Sequence, residues 1–312
     1  MADYSQRIKD LFDDQLTEWN LARENYSLLG NVRVRKIPFN KYEIDVQFNP
    51  GRITSSAARV DAHSIEARPC FLCEKNRPRE QRGVPFGEDY LILINPFPIF
   101  KRHLTIVSQK HTPQRISGNF ETMLALAESM PEYTLFYNGP QCGASAPDHL
   151  HFQAGNRGFL PVERDAGNTL LCQQAEAASG AELWLWRGYG RGMVTLKGDD
   201  TEALTAAFNK FIGRFALTQP ERPEPMLNIL ACHTDGVWTV HIIPRRVHRP
   251  ACYFAEGDAK ILLSPASVDI GGVFITPREV DFNRLNASDI ETILKEVCLN
   301  EEELSILTTG LL

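Results

Sequence analysis

His149-Leu150-His151-Phe152-Gln153 is the stretch on which the reading of this chain turns. Its alternation of polar and apolar residues predicts a strand, on which every second side chain shares a face. His149, His151 and Gln153 then point one way, ~6.6 Å from one to the next, while Leu150 and Phe152 point into a core. Just upstream, Asn138-Gly139-Pro140-Gln141-Cys142-Gly143-Ala144-Ser145 is a turn of small residues with exposed backbone N–H groups, a concavity suited to cradling a phosphate. An anion-binding turn feeding straight into an imidazole pair points to phosphoryl or nucleotidyl chemistry.

Further upstream stands Cys70-Phe71-Leu72-Cys73. Two thiols at this spacing form a common half of a tetrahedral zinc site, with histidines as the other half. The flanks, Arg-Pro before and Glu-Lys-Asn after, lack the strand-helix-strand setting of a redox dithiol, and two buried uncoordinated cysteines are the competing reading. His103, His111 and His149 are the candidate partners. If the strand Leu104–Val107 neighbours the His149 strand, Cys70, Cys73, His111 and His149 converge.

Around these motifs the chain alternates helical and strand periods. Ile8, Leu11, Phe12, Leu16, Trp19 and Tyr26 recur at helical spacing. Val32–Val34 and Tyr42–Phe48 alternate as strands and end at Asn49-Pro50-Gly51, a turn. Residues Thr54 to Arg68 carry no clear period. Tyr90–Asn95, Leu104–Val107 and Thr134–Tyr137 read as strands, and Phe120–Met130 as a helix. Beyond Pro161 the same alternation returns, with strands at Leu183–Trp186, Met193–Leu196, Met226–Leu230, Val237–Ile243 and Gly272–Thr276. Helices are predicted over Thr201–Leu217, with Asp200 as N-cap, and over Ser288–Val297. Each half runs strand, strand, helix, strand, strand. The economical architecture is α+β, with two fused units over residues 1–160 and 161–312.

Composition bounds the function. The chain has 312 residues, 43% hydrophobic and 23% charged, ample for a core without disulfides. Thirty-three Lys and Arg against 39 Asp and Glu leave a formal charge of −6, which argues against a general nucleic-acid partner. Seven cysteines cannot all pair, and no signal-peptide pattern follows Met1, so a reducing cytoplasm is expected. No stretch approaches the ~18 apolar residues of a membrane span. Gly188-Tyr-Gly-Arg-Gly192 lacks the spacing of a dinucleotide loop and reads as a hairpin. His233, His241 and His248 read as structural or surface residues, and Arg245-Arg246 as a solvated face.

His103-Leu-Thr-Ile-Val-Ser-Gln-Lys-His111 and Gly143-Ala-Ser through Gln153 resemble the histidine-triad superfamily. Within it they resemble the nucleotidyltransferase branch: GDP-hexose phosphorylases, galactose-1-phosphate uridylyltransferases and diadenosine tetraphosphate phosphorylases. Gln47-Phe48-Asn49-Pro50-Gly51-Arg52 is similar to a further element of the GDP-hexose phosphorylases, and the Cys-x-x-Cys is more like that of the uridylyltransferases. Trp238-Thr-Val-His-Ile-Ile-Pro244 looks like a degenerate second repeat. The resemblance implies a histidine-triad-like fold of two repeats, each with an antiparallel sheet and packed helices. His151 is then the nucleophile that takes a nucleoside monophosphate, and His149 joins Cys70, Cys73 and His111 around a structural zinc ion. Gln153 stands where hydrolytic relatives carry a third histidine. An amide there can hold phosphate oxygens but cannot protonate a leaving group, which favours transfer to phosphate over hydrolysis. Arg52, Asn95, Asn138, Gly143, Ala144 and Ser145 are the expected substrate-binding residues. The implied substrates are a nucleotide sugar or dinucleoside polyphosphate with phosphate or a sugar phosphate, and the uridylyltransferases suggest a homodimer.

Overall fold

The computed structural model describes residues 3–53 and 61–312; of the unassigned stretch Thr54 to Arg68, residues 54–60 lie outside those described. The N-terminal apolar spacing forms the helix Tyr4–Glu18, whose first turn is capped by the Asp3 side chain, and then Asn20–Ser27. Trp19 adopts an extended backbone between them, so the helical run is broken once.

Strands β1 (Arg33–Pro38) and β2 (Glu43–Phe48) form a hairpin. A meander of β3 (Gly83–Phe86), β4 (Tyr90–Ile94) and β5 (Leu104–Ser108) follows. The helix Phe120–Ser129 then leads to β6 (Tyr133–Asn138) and β7 (His151–Asn156). The second half repeats this order. It has a meander of β8 (Cys172–Ala178), β9 (Ala181–Trp186) and β10 (Val194–Gly198), the helix Thr201–Ala216, and a hairpin of β11 (Leu227–Thr234) and β12 (Val237–Pro244). Asp200 caps that helix by accepting from the Glu202 and Ala203 N–H groups, as its sequence position predicts. β13 (Val273–Thr276) returns to lie parallel to β2, so the two ends of the chain share a three-stranded sheet.

The large sheet has ten strands in the order β3-β4-β5-β7-β6-β11-β12-β10-β9-β8. Its halves are topological copies joined edge to edge by the antiparallel pair β6 and β11, where Asn138 faces Asn228, Tyr137 faces Ile229 and Phe136 faces Leu230. With β5 laid on β10, the pseudo-dyad passes between Phe136 and Leu230. On one face the helices of the two halves meet, with the Phe120 and Phe208 rings stacked at 3.9 Å. Ile106, Leu135, Phe152, Leu196, Ile229 and Val240 are buried in that layer, each such side chain contributing about 1.5–3 kcal/mol. The opposite face carries Phe136, Leu230 and Ile243, covered by Ile44, Val46 and Phe274 of the small sheet. The outermost strands, β3 and β8, were not predicted. Pro85 in one and the polar, mostly exposed Gln-rich run of the other suit edge strands with no clear alternation.

Candidate active site and metal cluster

β5 and β7 are neighbours, with Val107 opposite His151, and this brings the distant motifs together. The strand begins at His151, not His149. His149 sits in the entry turn and sends its ring sideways into a cluster with Cys70, Cys73 and His111, whose ligand atoms all lie within 4.8 Å of one another. Cys70 Sγ is 3.3 Å and Cys73 Sγ 3.6 Å from His149 Nδ1, and Cys73 Sγ is 3.2 Å from His111 Nδ1. A tetrahedral zinc ion with ordinary bond lengths sets sulfur–nitrogen edges of about 3.5 Å, so the donor set and its spacing fit such an ion. His149 Nε2 donates to the Ser108 carbonyl at 2.7 Å, which turns Nδ1 toward the cluster. Asp148, the acidic residue beside the motif, is paired with Arg68 at 3.1 Å.

His151 is 3% exposed. Its Nδ1 donates to the His149 carbonyl at 2.8 Å, and among the described residues no hydrogen bond engages Nε2. Burial pulls its pKa down to about 4, so the ring is neutral near pH 7 with its Nε2 lone pair available. Gln114, wholly buried, holds the strand entry. Its Oε1 accepts the His151 N–H at 2.8 Å, and its Nε2 donates to the His151 and Asn138 carbonyls at 2.9 and 3.0 Å. It thereby replaces the ladder bonds that β6 and β7 no longer make beyond the Phe136–Gln153 pair.

Gln153, two residues along the same face, is oriented by His103. The Ile99 N–H donates to His103 Nδ1 at 3.3 Å, leaving His103 Nε2 to donate to Gln153 Oε1 at 2.9 Å. The Gln153 carbonyl is thus occupied, and its NH2 group is left for the adjoining pocket. Burial, with the Arg52 charge nearby, depresses the His103 pKa to about 3. His103 is therefore tied to Gln153 and takes no part in the Cys/His cluster.

The pocket beside Gln153 encloses about 80 Å³ and is lined by Arg52, Asn138, Gly143, Ala144 and Ser145 from the first half. His248, Arg249, Ser264, Ala266 and Asp269 line it from the second half. Gly143 has φ +99°, and a Cβ there would lie 2.5 Å from that of Ala266, so the turn needs glycine to close on the opposite wall. Asn138 lines the pocket but also serves as a joint, its Oδ1 accepting from Asn228 Nδ2 and the Ser267 N–H. Arg52 donates to the Phe97 carbonyl at 2.7 Å, and burial lowers its pKa to about 10. Asn95 is placed elsewhere: its side chain closes a local turn by accepting from Phe97 N–H and donating to Thr105 Oγ1.

Sequence reasoning missed Gln114 and the whole second-half wall. His248 and Arg249 come from a segment with no motif of its own, so spacing held no signal for them. Arg245 is a correction. Read as solvated, it is fully buried and donates to Asn228 Oδ1 and to the carbonyls of Pro265, Val247, His248 and Val297. Arg246 does face solvent and pairs with Glu303.

Residues 11–156 match a family model described as a domain of unknown function (DUF4922), and residues 169–311 match one described as GDPGP1-like, C-terminal domain. Galactose-1-phosphate uridylyltransferase of Lactococcus lactis subsp. cremoris is 26% identical over 154 residues, 48% of this chain and 29% of that protein. The Halalkalibacterium halodurans uridylyltransferase is 27% identical over 189 residues, 54% of this chain and 36% of that protein. The chain thus spans about a third of the length of these curated relatives. Among solved structures, yeast Ap4A phosphorylase shares the fold over 90% of this chain and 97% of its own, at 15% identity and a TM-score of 0.62. Its complex with Ap4A gives 0.60, covering 89% and 96% at 15% identity. With both halves of the chain matched and the imidazole strand set in that fold, the chain resembles the histidine-triad-like superfamily, to which its uridylyltransferase relatives and the GDPGP1-like match point.

Proposed function

We propose that this chain transfers a nucleoside monophosphate group through a covalent nucleotidyl-His151, most directly in the phosphorolysis of a nucleotide sugar or a dinucleoside polyphosphate. One observation carries the reading. The buried, neutral His151 ring has Nδ1 tied to the His149 carbonyl, beside a pocket lined by the Gly143–Ser145 turn and Gln153. In the first step Nε2 attacks the α-phosphorus, and the bond to the leaving sugar phosphate or nucleoside polyphosphate breaks with its electron pair. The ring becomes positively charged, and the Nδ1–H bond to the His149 carbonyl strengthens as it does so. The Gly143 and Ala144 backbone, Ser145, Gln153 and Arg52 would hold the phosphoryl oxygens. In the second step an oxygen of orthophosphate attacks the same phosphorus, the phosphorus–Nε2 bond breaks, and its electrons restore the neutral ring. Gln153 can donate hydrogen bonds but no proton to a leaving group, so the intermediate waits for an anionic acceptor. A hexose 1-phosphate acceptor would make the same chemistry a nucleotidyltransferase.

Residues 1–160 act in this reading as the catalytic repeat and 161–312 as a degenerate one. Cys70, Cys73, His111 and His149 would hold a zinc ion, which when bound supplies a structural tie between the Cys-x-x-Cys loop and the entry of β7. Zinc near one equivalent per chain by elemental analysis is expected; well under one removes the metal and leaves the His151 proposal standing. All seven cysteines are unpaired, which suits a cytoplasmic setting, and no helix among the described residues is long and apolar enough to cross a membrane. The homodimer suggested by the uridylyltransferases belongs to the same proposal and is tested by light scattering.

The deciding experiment is intact-protein mass after incubation with Ap4A and with ADP-, GDP- and UDP-sugars, for the wild type and His151→Ala. A gain of one nucleoside monophosphate in the wild type alone is expected. Nucleotide binding without any adduct would instead indicate a zinc-stabilised binding module.

A further inference from the structure

The pocket beside Gln153 is built from both halves of the chain, and the two walls differ in chemistry. The first-half wall offers backbone N–H groups, the Ser145 hydroxyl, the Gln153 amide and Arg52; the second-half wall brings a second guanidinium, Arg249, with Ser264 and His248. Arg249 Nε donates to Ser264 Oγ at 2.9 Å, and its guanidinium lies 4.3 Å from the centre of the Tyr253 ring. These two contacts fix its plane. The one carboxylate in the lining, Asp269, accepts from the Ala266 and Ile275 N–H groups, so its oxygens are directed at its own backbone.

The wall is rigidly mounted. Arg245 uses its guanidinium on the carbonyls of Val247 and His248 on one side and Pro265 on the other, clamping the two ends of the segment that presents Arg249 and Ser264. Ser267 N–H is bound to Asn138 Oδ1 at 2.9 Å, which ties the same segment to the first half. Two guanidiniums, Arg52 and Arg249, line one small cavity, one from each half of the chain. In-line displacement places the leaving or entering oxygen on the far side of the phosphorus from the nucleophile. That second oxyanion needs its own cation.

Resting on the nucleotidyl-His151 reading, we infer that Arg249, presented by the second half of the chain, binds the acceptor phosphate of the second step. Arg245 is the positioning residue that holds it there. A planar guanidinium with fixed orientation matches two oxygens of orthophosphate at once, which an ammonium does not.

Two measurements test this, and they separate it from the reading beneath it. Orthophosphate titrated calorimetrically into the resting wild type, Arg249→Ala and Arg249→Lys probes the subsite with no donor present. Binding to the wild type, weakened about tenfold or more in Arg249→Ala and partly restored in Arg249→Lys, is expected. The second measurement is discharge of isolated nucleotidyl-enzyme at increasing orthophosphate. In Arg249→Ala the half-saturating concentration should rise about tenfold or more, with a smaller fall in the rate at saturation; a structural defect would instead lower the rate at every concentration. Equal phosphate affinity in wild type and Arg249→Ala, or no binding to the wild type, overturns the inference. Failure of every donor to load the wild type overturns the nucleotidyl-His151 reading, while the calorimetric comparison still decides the role of Arg249.

Discussion

The two halves of the ten-stranded sheet share one topology and diverge at the positions that matter for chemistry. Phe136 faces Gln153 in the first half and Leu230 faces His241 in the second, so the pseudo-dyad superposes Gln153 on His241. Two residues back along both strands, His151 falls on Thr239, and by the same count His149 falls on Val237. The counterpart of the proposed nucleophile is thus a half-buried threonine on β12, opposite Lys197 of β10. The counterpart of the oriented amide is an imidazole tied to Thr195 Oγ1, which in turn accepts from Trp186 Nε1. The tie-points differ too: a Cys/His cluster sits at the entry of β7, whereas a buried guanidinium, Arg245, sits at the exit of β12. A fold repeated twice holds one candidate reaction centre because side chains at equivalent strand positions were assigned to chemistry on one side and to packing on the other.

The comparison breaks most sharply at His151. Replacing it with threonine, as at Thr239, should cost on the order of 10⁴-fold or more in nucleotidyl transfer. Intact mass should show one adduct per wild-type chain, and a second adduct would mean the two halves are not chemically distinct. Next in size is Arg245→Met, which leaves several buried carbonyls without a donor and should lower stability by about 3 kcal/mol or more, read from urea midpoints. An unchanged midpoint would show that the exit of β12 is held without the Arg245 clamp. Gln153→His gives the first half the residue of its dyad mate, now beside a reacting phosphorus. The loaded enzyme should then discharge to water about tenfold to a hundredfold faster in phosphate-free buffer, and an equal half-life would detach Gln153 from the choice between phosphorolysis and hydrolysis.

The smallest effect is shared by both halves. His103 and His241 are wholly buried, and desolvation holds each near a pKa of about 3 against an ordinary 6.5. The folded state therefore refuses protons that the unfolded chain accepts once the pH falls below 6.5. Stability from these groups is full above that value and is lost as the pH drops toward 3, at up to about 1.4 kcal/mol per pH unit for each imidazole. Urea midpoints at pH 7.5, 6.5 and 5.5 should show the decline, and His241→Gln should reduce its slope; an unaltered slope would exclude His241 as a contributor.

The sequence made the inner strands, both long sheet helices and the Cys/His cluster legible because each rests on local periodicity or a short motif. Cys70, Cys73, His111 and His149 could be grouped once a single adjacency, β5 beside β7, was supposed. His103 could be seen but not placed: both it and His111 flank the same strand, and only the fold shows that one end points to Gln153 and the other to the cluster. The edge strands escaped because Pro85 and the exposed Gln173 and Gln174 follow no alternation. Arg245 and Arg249 escaped for a different reason. An arginine whose partners are backbone carbonyls or a distant serine leaves no charge pattern along the chain, so burial of Arg245 could not be read from its neighbours.

The junction between β6 and β11 has one further consequence. Every residue of β6 is buried, and its outer backbone groups are satisfied by the other half of the same chain. A fragment ending near residue 160 would bare that edge, and an open, apolar strand edge is a template for pairing with another copy. Because β6 and β11 already meet antiparallel across a dyad, two such fragments could occupy the same geometry through their own β6 strands. The intact chain is in this sense a symmetric dimer made covalent, and the covalent link lets the two halves differ, with His151 in one and Thr239 at the matching position of the other.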